Sequence, residues 1–356
     1  MKTLRLVVDP ANLTSSKAEK ALERAAAILR AGGLVALPTE TVYGLGANAL
    51  DAAAVGRIFA AKQRPAWDPI IVHIAGSDCG KAMLEELVEE VPAAARRLME
   101  AFWPGPLTLL LRRTRAVPDA VTAGRPLVGV RMPAHPVALE LIRRAGVPVG
   151  APSANLFGHV SPTTAAHVLA DLDGRIDAVV DAGPTAHGVE STVLDPGRTP
   201  MAIYRPGAVT AEQIRTLAGA AEVLRGGGEP AGTLGAAQPS PGLGLRHYSP
   251  RARLVLVEGP LAELRARLGE AALGWPGERL GFMLPAEIAA PFEGVATFMW
   301  GRWSAPEELA RELYAGLRAL DAEGCTVILC PLPADEGIGA AIRDRLRKAA
   351  HGGAVQ

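Results

Sequence analysis

The stretch AAKQRPAWDP, residues 60–69, sets two cations, Lys62 and Arg64, on either side of one glutamine, with Asp68 shortly beyond. Residues two apart share a face in an extended chain but not in a helix, and Pro65 biases Arg64 away from the helical region. The spacing predicts that both cations aim the same way, just past the helix read from DAAAVGRIFAAK, and that they meet an anion. Other polar residues sit where strands end or turn. Thr39, Glu40 and Thr41 follow the buried strand LVALP, His73 lies inside IIVHI, and Arg131 ends VGVR. Ser153 and Asn155 follow VGAP, again two apart, and Ser161 and Thr163 start a helix. Ser191 and Thr192 lie in VESTV, and Arg205 precedes a Pro-Gly turn. Ligands of open α/β sheets bind at strand ends. Four cations, many hydroxyls and few carboxylates suit phosphate together with a small carboxylate, because guanidinium and hydroxyl groups bind both.

Each of these residues also has an ordinary reading. Lys62 and Arg64 suit a solvated helix end, Arg131 a surface ion pair, and His73 a satisfied core imidazole. Ser153, Asn155 and Ser161 suit turns and caps. Their co-occurrence in one stretch of chain carries the argument. Familiar catalytic motifs are missing: CGKA at 79–82 is not a phosphate-binding loop, and G-x-S-x-G, H-E-x-x-H and C-x-x-C do not occur. GIGAA at 337–341 lacks the acidic partner of a dinucleotide loop. Chemistry run by positioning and charge neutralisation, without a protein nucleophile, fits this inventory.

The elements that must position these groups alternate along the chain. SSKAEKALERAAAILRAGG reads as a helix with Ser16 at its N-cap and Gly32 and Gly33 at its end, and TETVYGLGAN as a glycine-punctuated loop. Strands are read at DPIIVHIA, PLTLLLRR, PLVGVRMP, VPVGAP, AVVDAG, VESTVLD and MAIYRPG, with helices between most of them. Such alternation means an α/β domain with one main sheet. RGGGEPAGTLGAAQPSPGLGLRHYSP reads as an interdomain linker, although Arg246, His247 and Tyr248 are more than a spacer needs. A second, smaller α/β unit follows. The expected domains are 1–220, a linker at 221–250, and 251–353.

The 356 residues suffice for two cores, and 37 basic against 37 acidic residues argue against a general polyanion binder. Three scattered cysteines exclude a disulfide framework or a zinc site. MKTLRLVVDP reads as a strand rather than a signal peptide, and no apolar run approaches the roughly 20 residues of a membrane helix. A soluble, cytoplasmic protein is expected, with no membrane partner.

PTETVYGLGANA, KQRPAWDPIIVH, WPGPLTLLL, VGVRMPAHP, APSANLFGHVSPT, ESTVLD and IYRPGAV, in this order over residues 31–210, resemble the YrdC-like threonylcarbamoyl-AMP synthases. Residues 240–250 and GIGAAIRDRLRKAA resemble the linker and C-terminal domain of the long form. The resemblance implies an α/β fold: a YrdC-like domain with a twisted, mixed open sheet and a concave basic cleft, plus a smaller Rossmann-like domain. It implies that ATP, L-threonine and bicarbonate give L-threonylcarbamoyladenylate and pyrophosphate, with Mg²⁺ arriving on ATP. The adenylate would feed N6-threonylcarbamoyladenosine formation on ANN-decoding tRNAs through a separate transferase complex, and a weak tRNA contact is among the implied partners. Matched to the motifs, Thr41, His73, Arg131 and Ser191 are expected to hold threonine. Lys62, Arg64, Asp68, Ser153, Asn155, Ser161 and Arg205 are expected on the nucleotide side, with Lys62 and Arg64 catalytic. Arg246, His247 and Tyr248 are expected to fold over the cleft as a lid. Asp68 stands where the family usually has Asn, and Phe157 where it has a small residue. The alternative is a YrdC-fold RNA-binding module that makes no adenylate. Carbamoyl transfer of the hydrogenase-maturation type is set aside, because its paired-cysteine zinc modules are missing.

Overall fold

The computed structural model describes residues 2–224, 238, 240 and 248–351. The chain divides into two units, one of residues 1–157, 162–186 and 190–243, the other of residues 158–161, 187–189 and 244–356. The first unit opens with β1 (Leu4–Val7), α1 (Ser16–Arg30), β2 (Val35–Leu37), β3 (Gly44–Asn48) and α2 (Ala52–Lys62). It continues through β4 (Ile71–His73), α3 (Ser77–Leu87), α4 (Ala93–Phe102), β5 (Leu107–Arg112), α5 (Asp119–Thr122) and β6 (Leu127–Arg131). Next come α6 (Pro136–Ala145), β7 (Val149–Gly150), α7 (Ala165–Leu172) and β8 (Ala178–Asp181). It closes with β9 (Thr192–Asp195), β10 (Met201–Arg205), α8 (Ala211–Ala218) and β11 (Ala221–Val223). Among the described residues its strands form one mixed sheet in the order β1-β8-β2-β3-β7-β4-β6-β5-β9-β10-β11.

Local sequence explains most of these elements. In α1, Leu22, Ala25, Ala26 and Leu29 recur at helical spacing and are all fully buried. Burial of each leucine contributes about 1.5–3 kcal/mol. The cap is Ser15, whose hydroxyl accepts from the Ala18 N–H, one residue before the expected Ser16.

Two expectations need correction. GLGAN is not loop but β3, antiparallel to β2 with Leu37 opposite Gly44 and Val35 opposite Gly46. Its glycine is a matter of space, since a Cβ on Gly46 would lie 2.8 Å from both Leu37 Cδ2 and Val149 Cγ1. Residues 221–223, expected in the linker, form β11 and pair in parallel with β10.

The second unit contains β12 (Arg253–Val257), α9 (Leu261–Leu273), β13 (Leu280–Pro285), β14 (Ala296–Gly301), α10 (Pro306–Ala322), β15 (Val327–Pro331) and α11 (Ile338–His351). Its sheet is parallel throughout, in the order β12-β15-β13-β14. The sequence reading missed β14, an edge strand that keeps Met299 more than half exposed. Tyr248 is buried within this unit. Its ring stacks on Tyr314 at 5.8 Å, and the Arg345 guanidinium lies 5.3 Å from its centroid. Among the described residues no helix is long and apolar enough to cross a membrane.

Candidate active site

The turn after α2 does not give Lys62 and Arg64 the shared extended face that their spacing predicts. Asp51 caps α2 through the Ala53 and Ala54 N–H groups, and the helix runs through Lys62. Gln63 then takes a left-handed conformation (φ 54°, ψ 37°), and the Arg64 N–H returns to the Phe59 carbonyl at 3.0 Å. This closing turn is the usual helix stop, built here without glycine. Lys62 is therefore helical, and the two cations do not share an extended face. The turn buries both. Lys62 Nζ donates to the Ser153 carbonyl at 2.6 Å and to the Asn155 carbonyl. Arg64 donates to the Asp68 and Pro69 carbonyls at 3.2 and 2.7 Å, and its Nη2 lies 2.9 Å from Asp68 Oδ2. Asp68 is thus the counter-charge of Arg64. Burial pulls the Lys62 pKa well below its ordinary value, and the charge of Arg64 pulls it further. Phe157 joins the same turn, with its N–H on the Lys62 carbonyl at 2.9 Å and its ring edge-on to Trp67.

A second group assembles on the loop between β2 and β3 and the C-terminal ends of β4 and β6. These two strands pair in parallel with His73 beside Arg131. Thr39 Oγ1 donates to the Val42 carbonyl at 2.6 Å, so its 2.8 Å contact with Thr41 Oγ1 must be donated by Thr41. Thr41 in turn accepts from Arg131 Nη1 at 3.0 Å. Arg131 Nε donates to the Gly105 carbonyl at 3.1 Å, and Nη2 lies 2.6 Å from Glu40 Oε1. Glu40, Arg131 and His73 are all more than nine-tenths buried. Burial alone would raise the Glu40 pKa, but the Arg131 guanidinium together with the backbone N–H groups of Glu40 and Ala134 outweighs it and holds the carboxyl below its ordinary range. Burial, with a further contribution from Arg131, pushes His73 down to about 3, so its imidazole is neutral at physiological pH.

A third group joins two residues that the sequence reading had assigned to different substrates. Arg205 Nε and Nη2 donate to the Ser191 carbonyl and Oγ at 3.0 and 3.1 Å. Ser191 Oγ also lies 2.8 Å from Thr108 Oγ1. The β9–β10 ladder shifts register between Ile203 and Arg205, a bulge that takes Arg205 out of step with its strand. The Pro104–Leu107 segment ties the second and third groups together, because its Gly105 carbonyl accepts from Arg131 and its Pro106 carbonyl from the Thr192 N–H. Gly207 closes this corner. A Cβ there would sit 2.4 Å from Thr192 N, 2.5 Å from the Glu190 carbonyl oxygen and 2.6 Å from Ser191 C, all backbone atoms. Gly207→Ala therefore has to displace 190–192. It is expected to cost about 1–3 kcal/mol and to lower the melting temperature by roughly 5 °C. A melting curve matching that of the parent protein would sink this reading.

Ser161 is fully buried and falls in the segment grouped with the second unit. It does not start α7, whose cap is Thr164, accepting from the His167 N–H. Of the expected lid residues, Tyr248 is the buried ring described above, while Arg246 and His247 lie outside the described residues. Glu40, Thr108 and Gly207 carry more of the site than the sequence reading assigned them. Only Glu40 had a local signal, as an acid between two threonines on a loop that follows a buried strand.

Two family models match the chain. The Sua5, YciO and YrdC model, described as telomere recombination, matches residues 27–207. The Sua5 C-terminal model, described as threonylcarbamoyl-AMP synthase, C-terminal domain, matches residues 209–351. The chain is 43% identical to a threonylcarbamoyl-AMP synthase of Pyrococcus abyssi, over 91% of this chain and 92% of that one. It is 42% identical to the threonylcarbamoyl-AMP synthase of Bacillus subtilis, over 100% of both chains. Among solved structures it is similar to P. abyssi Sua5 complexed with L-threonine, with a TM-score of 0.88, 41% identity and 98% of each chain covered.

Proposed function

The chain belongs to the Sua5, YciO and YrdC family, in the form that carries the Sua5 C-terminal domain, and we propose that it is a threonylcarbamoyl-AMP synthase. The reaction joins L-threonine, bicarbonate and ATP into L-threonylcarbamoyladenylate and releases pyrophosphate and water. The observation that carries the reading is the similarity to synthases along the whole chain, joined to a site of buried cations.

The residues divide the work by charge. Arg131, oriented by Thr41 and the Gly105 carbonyl, is the partner for the threonine carboxylate. Neutral His73 lies beside it and adds no competing charge. Ser191 presents a hydroxyl already ordered by Thr108 and Arg205. The amine of threonine attacks the bicarbonate carbon, the C–OH bond breaks, and the amine proton leaves with that hydroxide as water; the resulting carbamate oxygen then attacks the α-phosphorus as pyrophosphate leaves. Negative charge gathers on phosphate oxygens in that step, and Lys62 and Arg64 are the groups that offset it. Mg²⁺ enters as part of the ATP substrate. Asp68 and Glu40 are each engaged by an arginine, and among the described residues no group of three or more His, Cys, Asp or Glu is placed to hold a metal. The product passes to a cytoplasmic transferase complex that modifies tRNA.

The test is pyrophosphate release from ATP with Mg²⁺, with L-threonine and bicarbonate added singly and together. Release is expected only with both. A folded protein that releases none under any combination would overturn the reading and favour the RNA-binding alternative.

A further inference from the structure

We propose that Glu40 is the specificity-determining counter-charge of the amino-acid site, receiving the α-ammonium of the substrate so that the site takes zwitterions and rejects carboxylates that lack the amine. The inference rests on the reading of the Arg131 group as the threonine site. It begins from an unsatisfied pair. Glu40 Oε1 lies 2.6 Å from Arg131 Nη2 in a buried ion pair, and the backbone N–H groups of Glu40 and Ala134 also favour the carboxylate. None of these contacts is a well-aligned hydrogen bond to either oxygen, and Arg131 Nη2 likewise has none. Buried acceptor and donor capacity is left over, which costs free energy unless a ligand uses it. An ammonium offers three donors to the carboxylate, and a substrate carboxylate offers acceptors to the guanidinium.

Charge counting leads to the same residue. The titratable groups that face Glu40 are Arg131, His73 and His135. His73 is pushed down to about 3, and burial also lowers His135, so neither adds positive charge near neutral pH. One guanidinium and one carboxylate remain, a site of zero net charge. A zwitterion keeps it at zero. A bare carboxylate would leave one uncompensated anion away from water, which is costly.

The experiment measures binding by calorimetry on the full chain, using L-threonine and 3-hydroxybutyrate, which is threonine without its amine. In the parent protein L-threonine binds and 3-hydroxybutyrate does not. Glu40→Gln is expected to weaken L-threonine by about 10- to 100-fold, the range of one charge-assisted hydrogen bond. The same variant should gain affinity for 3-hydroxybutyrate, a shift of opposite sign that mere loosening of the fold would not produce. Glu40→Asp keeps the charge, so it should bind L-threonine more weakly yet still reject 3-hydroxybutyrate; it tests the idea even if Glu40→Gln does not fold. Equal losses for both ligands in Glu40→Gln, unchanged L-threonine affinity, or 3-hydroxybutyrate binding to Glu40→Asp would overturn the proposal while leaving the synthase reading intact. A parent protein that binds no L-threonine would instead overturn the synthase reading, and the proposal with it.

Discussion

Lys62→Ala is expected to lower pyrophosphate release by about 10²–10³-fold, the usual effect of removing one preorganised donor from developing negative charge. The amine holds the Ser153 and Asn155 carbonyls in place, so part of the loss is positional. Proton linkage separates the two contributions. Burial and the charge of Arg64 hold the Lys62 pKa well below 10.5 in the folded protein. The folded state therefore binds fewer protons than the unfolded state between the two pKa values, and the contribution of Lys62 to stability rises with pH across that window. Phosphate beside the amine moves its pKa back up, so ATP binding takes up protons. Calorimetry at mildly alkaline pH, in buffers of different ionisation heat, should show this uptake in the parent protein and lose most of it in Lys62→Met. Uptake that is the same in both proteins would remove Lys62 from the phosphate site.

Arg131→Ala is expected to abolish measurable threonine-dependent turnover and to destabilise the first unit by about 3–5 kcal/mol, because Glu40 is left as a buried, unpaired charge. For a unit of this size that is a fall in melting temperature of roughly 10 °C. The double change Arg131→Met with Glu40→Gln removes both charges. It should recover much of the melting temperature and none of the activity, since a buried ion pair replaced by neutral groups is often no less stable. The cycle formed by Arg131→Met, Glu40→Gln and the double variant measures the coupling directly. Additive losses would mean that the two side chains do not form the pair described here.

The alternation of strands and helices was legible because apolar periodicity is local. Ala18, Leu22, Ala25 and Leu29 announce α1, and VALP, IIVH and VGVR announce strands that end at the site. The errors have physical causes. GLGAN reads as loop because glycine is rare in strands, yet Gly46 is required where Leu37 and Val149 crowd the backbone. Lys62 and Arg64 read as an extended pair because proline follows, yet Gln63 adopts the left-handed turn that ends the helix. β11 is a three-residue edge strand too brief to separate from loop, and β14, though six residues long, lies at a sheet edge with one fully buried residue, so it lacks the continuous apolar run by which the other strands of its sheet are read.

By itself the sequence determined the α/β class, the family, and the list of cations and hydroxyls, all of which depend on residue type and order along the chain. Tertiary structure alone decided which acceptor each cation takes. Lys62 reaches carbonyls about ninety residues away, Arg131 reaches a hydroxyl ninety residues back, and Arg205 reaches Ser191 on the neighbouring strand side. A buried charge takes whichever partner the packing brings within about 3 Å. That distance is set by how the strands stack side by side, which no local stretch of residues encodes.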